Sequence, residues 1–219
     1  MNFFLSLCAV ALGAYLVGSF PTGYLVGRYC GIDIRNYGSG NIGATNVMRL
    51  LGKKWGYTVF IIDFLKGWLP VFLVMLWKNN HEMIPPSAPG TLAALATLIG
   101  HSFPLWLHFR GGKGISTSAG IIVGLFPGSF LFCVGSWFLL FLLTRYVSLA
   151  SITAAITLPM TVLLFYFLKK ENTSWPSYLQ EEDWLSIFTS LAMAGLVLWR
   201  HLENIKRLLT GTEQRFEKK

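Results

Sequence analysis

Seven apolar stretches leave this chain few folds to choose from. They run at roughly residues 3–27, 55–77, 90–108, 117–126, 129–146, 150–168 and 184–200. A helix needs about 20 mostly apolar residues to cross a bilayer, and most of these stretches approach or exceed that length. They predict an all-α fold, a polytopic membrane bundle of seven transmembrane helices in a single domain, 1–219. Composition agrees. The chain is 53% hydrophobic and only 13% charged, about half the usual charged share. No basic segment and no small-residue cleavage pattern precede Pro21, so the first stretch is expected to be a retained span, not a signal peptide.

The fourth and fifth stretches come from one apolar run, Ala119 to Leu143, with Pro127-Gly128 inside it. Pro-Gly favours a turn, so the run is expected to split there. A single kinked helix would instead leave an even number of spans. With the split, most of the 18 Lys and Arg residues, from Arg28 and Arg35 through Arg110 and Arg145 to Arg200 and Arg215, fall on one side. Lys78, Lys169 and Lys170 fall on the other. Basic residues mark the cytoplasmic side, which puts the N-terminus outside and the C-terminus inside. The net charge of +8 is then an orientation signal with affinity for anionic lipid, and nucleic-acid binding is not expected. The connectors at 78–89 and 169–183 are expected outside. The three cysteines are scattered and support neither a disulfide framework nor a zinc site.

Each inner loop carries small polar residues beside a cation. Gly38-Ser39-Gly40-Asn41-Ile42-Gly43-Ala44-Thr45-Asn46 is followed by Arg49. Glycines let backbone N–H groups approach an anion closely, and Thr45 is placed to cap a short helix. Arg110-Gly111-Gly112-Lys113-Gly114 sets a lysine among three glycines. It lacks the spacing of a nucleotide-binding phosphate loop, which leaves Lys113 as an anion-binding candidate. Ser148 and Ser151 sit at helix-entry spacing, as helix caps or ligand groups. His201 and Asn204, three apart, share a helix face, with a structural and a proton-transfer role equally open for the histidine. Asp63 and Lys66, also three apart, lie within a span and are expected to pair with each other. His101 and His108 read as structural.

What is missing narrows the chemistry. Inner carboxylates are few (Asp33, Glu203, Glu213 and Glu217), so no magnesium cluster is expected. No histidine is followed by an aspartate five residues on, and no Ser or Cys occupies a nucleophile elbow.

Taken in order, Gly38 to Asn46, Gly111 to Gly114, Ser148-Leu149-Ala150-Ser151-Ile152 and His201-Leu202-Glu203-Asn204-Ile205-Lys206-Arg207-Leu208-Leu209-Thr210-Gly211 resemble the bacterial acyl-phosphate:glycerol-3-phosphate acyltransferases. Leu202 departs from the arginine usual in that family. The resemblance implies an integral enzyme of the bacterial cytoplasmic (inner) membrane with its active site facing the cytosol. It would move an acyl group from acyl phosphate to the 1-hydroxyl of glycerol 3-phosphate, giving lysophosphatidate and inorganic phosphate in phospholipid biosynthesis. It implies no cofactor and no metal, a lipid bilayer as surroundings, and a monomer. Ser39, Lys113 and His201 are the expected catalytic residues. Gly40, Asn41, Thr45, Asn46, Arg49, Gly112, Ser151 and Asn204 complete the expected substrate site. A transporter for a small organic anion and a membrane scaffold stand as rival readings. The first would need more polar residues at mid-membrane than Asp63, Lys66 and His101; the second leaves four polar motifs unexplained.

Overall fold

The computed structural model describes residues 3–77, 87–171 and 183–216. The outer connectors expected at 78–89 and 169–183 therefore lie mostly outside the described residues, as do Glu217, Lys218 and Lys219. The described residues are helical with short connections, and they divide into two compact units, Met1–Leu125 and Phe126–Lys219.

In the first unit, α1 (Phe3–Gly18) and α2 (Thr22–Tyr29) form one apolar segment broken at Ser19-Phe20-Pro21. Pro21 has no N–H to continue the helical ladder. The break uncovers backbone carbonyls inside an apolar segment, where unsatisfied polar groups are costly. Helix α4 (Lys53–Leu76) supplies the partners. Lys66 Nζ donates to the Phe20 carbonyl at 2.9 Å, and Thr22 Oγ1 donates to Asp63 Oδ1 at 2.9 Å. Asp63 and Lys66 are themselves 2.7 Å apart, with side chains only 4% and 6% exposed. The expected pair exists, and its second task is to bind the broken span.

Helix α3 (Ala44–Leu51) precedes α4, and α5 (Ala88–Ser102) and α6 (Ile115–Leu125) complete the unit. Glycines set the helix contacts, as they do where helices pack closely in lipid. Gly18 lies against the Thr97 backbone and Gly100 against Tyr15, joining α1 to α5. Gly67 lies against the Thr117 backbone and Gly120 against Phe64, joining α4 to α6. A methyl at Gly67 would drive into the Thr117 carbonyl, which cannot swing aside. Gly67→Ala is therefore expected to destabilise the protein by about 1–3 kcal/mol through overpacking, read as earlier thermal unfolding in detergent; an unchanged transition would refute the contact.

In the second unit, Phe126 separates α6 from α7 (Pro127–Thr144), and Pro127 occupies the first turn of the new helix, where its missing N–H costs nothing. The apolar run thus divides where Pro-Gly suggested. Helix α8 (Val147–Glu171) packs on both α7 and α9 (Trp184–Arg200). Helix α10 (Leu202–Leu209) follows α9 after a bend of 58°.

Five helical segments among the described residues are long and apolar enough to cross a membrane: Phe4–Tyr29, Lys53–Leu76, Ala88–Leu107, Pro127–Thr144 and Val147–Leu168. The bent pair α9–α10 makes a sixth if counted as one span. Helix α6, at 11 residues, extends only about 16 Å.

Candidate active site

The glycine-rich first loop rests on a small apolar core of Ile34, Ile42, Val47, Val59 and Leu107, all buried. One side chain organises it. Asn46, 2% exposed, donates through Nδ2 to the carbonyls of Tyr37 at 3.1 Å, Asn41 at 2.9 Å and, at a long 3.4 Å, Ile34. Its Oδ1 accepts from the Ser39 N–H at 3.0 Å. The sequence points to direct substrate binding by Asn46. Its hydrogen-bonding capacity is instead spent on the loop itself, because three carbonyls and one N–H turn inward and need a buried partner. Gly38, at φ 60°, faces the Asn46 amide where a Cβ would collide, and so the loop can close only with glycine there.

Thr45 does not cap α3. Gly43 holds the N-cap position, and Asn41 Oδ1 accepts from the Gly43 N–H at 2.8 Å in a local turn. The chain reaches its helical dihedrals two residues too early for Thr45 to serve. Ser39 and Gly40 lie at the exposed crest of the loop, while Thr45 and Arg49 are half-buried on α3, Arg49 in its last turn. Asp33 beside this loop is bound by Arg35 at 2.6 Å. Hydrogen bonding from that guanidinium holds the Asp33 carboxyl down at about 2, so it is charged and paired.

Lys113 is placed by a different device. The N–H groups of Gly111 and Gly112 donate to the carbonyls of Ser102 and His101, both at 3.1 Å. This stitches an extended segment onto the end of α5. Gly112 packs on the His101 ring and Gly114, at φ 81°, on Leu98, so neither position has room for a Cβ. Lys113 emerges half-buried between them. His101 is itself fixed, its Nδ1 lying 3.1 Å from Thr117 Oγ1, in keeping with a structural role.

In the second unit, Ser151 is not a helix cap. It is the fifth residue of α8, 1% exposed. Its hydroxyl donates to the Val147 carbonyl at 2.7 Å and accepts from Trp137 Nε1 at 3.2 Å, a bond that ties α8 to α7. His201 sits at the α9–α10 bend, 3% exposed, with Nδ1 2.8 Å from the Val197 carbonyl. A carbonyl can only accept, so Nδ1 carries the proton and Nε2 is the basic nitrogen of the neutral ring. Asn204, 5% exposed, lies one turn on and donates through Nδ2 to Glu213 Oε1 at 2.6 Å. Glu203 is exposed and pairs with Lys206 at 2.8 Å.

Glu213 is the residue that sequence reasoning did not single out. It meets Asn204 across nine positions, beyond any helical period. The only local signal was Thr210-Gly211-Thr212, where Gly211 at φ 69° ends the helix and reverses the chain.

The family model for glycerol-3-phosphate acyltransferase matches residues 8–211 of the chain. The chain is 40% identical over 203 residues to the glycerol-3-phosphate acyltransferase of Aquifex aeolicus, covering 93% of this chain and 95% of that one. It is 44% identical over 215 residues to the corresponding protein of Synechococcus elongatus, covering 96% and 95%. Among solved structures it resembles PlsY, an integral membrane glycerol 3-phosphate acyltransferase. The glycerol 3-phosphate form aligns with a TM-score of 0.81 at 39% identity, over 97% of this chain and 96% of that one. The lysophosphatidic acid form aligns with a TM-score of 0.79 at 38% identity, over the same shares.

Proposed function

The chain belongs to the glycerol-3-phosphate acyltransferase family, and from that membership we propose that it moves an acyl group from acyl phosphate to the 1-hydroxyl of glycerol 3-phosphate. It acylates glycerol 3-phosphate as an integral membrane enzyme of phospholipid synthesis. The observation that carries this is the ordered match along nearly the whole chain, which takes in all four polar motifs.

An acyl phosphate is a mixed anhydride. The hydroxyl oxygen attacks its carbonyl carbon, the C–O bond to phosphate breaks, and inorganic phosphate leaves with the bond's electrons. Such a leaving group needs little acid assistance. The enzyme's work is to hold two anions and take one proton from the attacking hydroxyl. Arg49 and Lys113 supply positive charge for the phosphates, and Ser39, Gly40, Asn41, Thr45 and the Gly112 backbone supply neutral donors around them. In the second unit Ser151 and Asn204 serve substrate binding. His201 offers Nε2 as a proton acceptor, and the substrate phosphate is the alternative acceptor. Asn46 acts through the loop it shapes. The proposed reaction uses no metal ion, since an acyl phosphate is already activated and its leaving group needs little help. The donor set fits anion binding instead.

The charge asymmetry of the loops supports seven crossings, with the N-terminus outside and the site facing the cytosol of a bacterial inner membrane. The enzyme works as a monomer and as one catalytic domain.

Purified protein in detergent is expected to release phosphate from palmitoyl phosphate only when glycerol 3-phosphate is present, with chelator making no difference. Transfer from palmitoyl coenzyme A but not from palmitoyl phosphate would sink the proposed donor. Phosphate release regardless of glycerol 3-phosphate would make the protein a hydrolase.

A further inference from the structure

After α10 the chain turns back at Thr210-Gly211-Thr212, where the N–H groups of Thr212 and Glu213 donate to the Arg207 carbonyl at 2.8 and 3.2 Å. The tail then runs along its own unit. Arg215 Nε donates to the Tyr146 hydroxyl at 3.2 Å, the Phe216 N–H donates to the Arg145 carbonyl at 2.8 Å, and the Phe216 ring packs edge-on to Phe141. Within this strap the Glu213 side chain is 8% exposed. One carboxylate oxygen accepts from Arg207 Nε at 2.7 Å and the other from Asn204 Nδ2 at 2.6 Å.

Arg207 alone would give the carboxylate an ionic partner. The short bond to a buried neutral amide has a separate consequence. A primary amide can present either its oxygen or its NH2 group, and the two orientations have the same shape. A carboxylate only accepts hydrogen bonds. It therefore draws the NH2 group toward the tail and turns Oδ1 the other way. Burial pushes the Glu213 carboxyl up, but hydrogen bonds from neighbours that include Asn204 and Arg207 more than offset it, leaving it below its ordinary value and charged at neutral pH.

We propose that Glu213 is a positioning residue for acyl transfer: it locks the Asn204 amide in one orientation and so sets which polar atom Asn204 offers to substrate. The proposal rests on the reading of Asn204 as a substrate-binding residue. The C-terminal strap is then part of the catalytic apparatus and not a dispensable end.

The test measures kcat and KM on the full chain in detergent, beside thermal unfolding. Glu213→Ala is expected to lower kcat/KM for glycerol 3-phosphate by about 10- to 100-fold, the cost of a misplaced group. Glu213→Gln has one oxygen for two donors; the charged Arg207 takes it and the NH2 group faces Asn204, so this variant should turn the Asn204 amide over and lose about as much kcat/KM as Glu213→Ala. Arg207→Met loosens the strap but leaves the Asn204 bond. It should lose stability as Glu213→Ala does while keeping turnover within roughly threefold of wild type. The double variant Glu213→Ala/Asn204→Ala should be no slower than Asn204→Ala alone, since both remove one interaction. If the alanine variant does not fold, Glu213→Asp, one methylene short of Asn204, should show the same loss. Wild-type kcat/KM in Glu213→Ala beside a crippled Asn204→Ala would overturn the positioning role, as would an equal loss in Arg207→Met. A fully active Asn204→Ala would remove both the reading of Asn204 and the proposal built on it.

Discussion

Lys113→Ala is expected to cut acyl transfer by about 10²–10³-fold, the usual cost of deleting a preorganised group that stabilises developing charge, with the protein still folded. The expectation comes from how the lysine is held. Its neighbours are pinned: the Gly111 and Gly112 N–H groups are bonded to the end of α5, and Gly112 and Gly114 pack where no side chain fits. A segment fixed this way loses little freedom when an anion binds, so the ammonium is delivered at low entropic cost. Removing the side chain leaves those backbone bonds intact, which is why folding should survive. Lys113→Arg keeps the charge but replaces a compact ammonium with a planar fork of different reach, and should fall between alanine and wild type. Steady-state kinetics against both substrates, with size exclusion and thermal unfolding as controls, check this. Wild-type turnover in Lys113→Ala would take the residue out of the site.

Asp63→Ala carries the largest expected effect on stability, a loss of about 3–5 kcal/mol, as when one partner of a buried ion pair is removed. Among the described residues Lys66 would keep only the Phe20 carbonyl, and Thr22 would lose its acceptor. The cost would fall on the broken first span. Replacing both charges, Asp63→Leu with Lys66→Met, should recover part of the loss, because no uncompensated charge stays buried. Recovery should be incomplete, since the Phe20 carbonyl and the Thr22 hydroxyl still lack partners. Unfolding midpoints of wild type and the two variants in one detergent decide the order. If the double variant is as stable as wild type, the pair does not hold the break. If it is less stable than Asp63→Ala, a stranded lysine charge is not what makes the single substitution costly.

The helices were legible because apolar length is a local property, and the break at Phe126 was legible because proline acts on its own backbone. The division of the first span at Ser19-Phe20-Pro21 was not foreseen, although Pro21 stood in plain view. A span can absorb a proline when something else satisfies the freed groups, and that something lies more than forty residues away on α4. In the first loop, glycines announced a tight polar turn, but nothing local distinguished Asn46 from one more donor for a ligand. Only coordinates reveal that three carbonyls of the loop point at it. Thr45 and Ser151 failed as caps for a related reason: capping depends on where the dihedrals change, and a shift of one or a few residues moves the role elsewhere.

By itself the sequence determined a helical membrane protein of this acyltransferase family, the polar motifs it carries, and the mutual pairing of Asp63 with Lys66. Those follow from periodicity, spacing and order along the chain. Tertiary structure alone decided which polar side chains are spent on the fold. Asn46 is consumed by its loop, Lys66 by the first span, and Glu213 by Asn204 and Arg207. The reason is that a buried polar group takes whatever partner folding brings within about 3 Å, and separation along the chain says nothing about that distance.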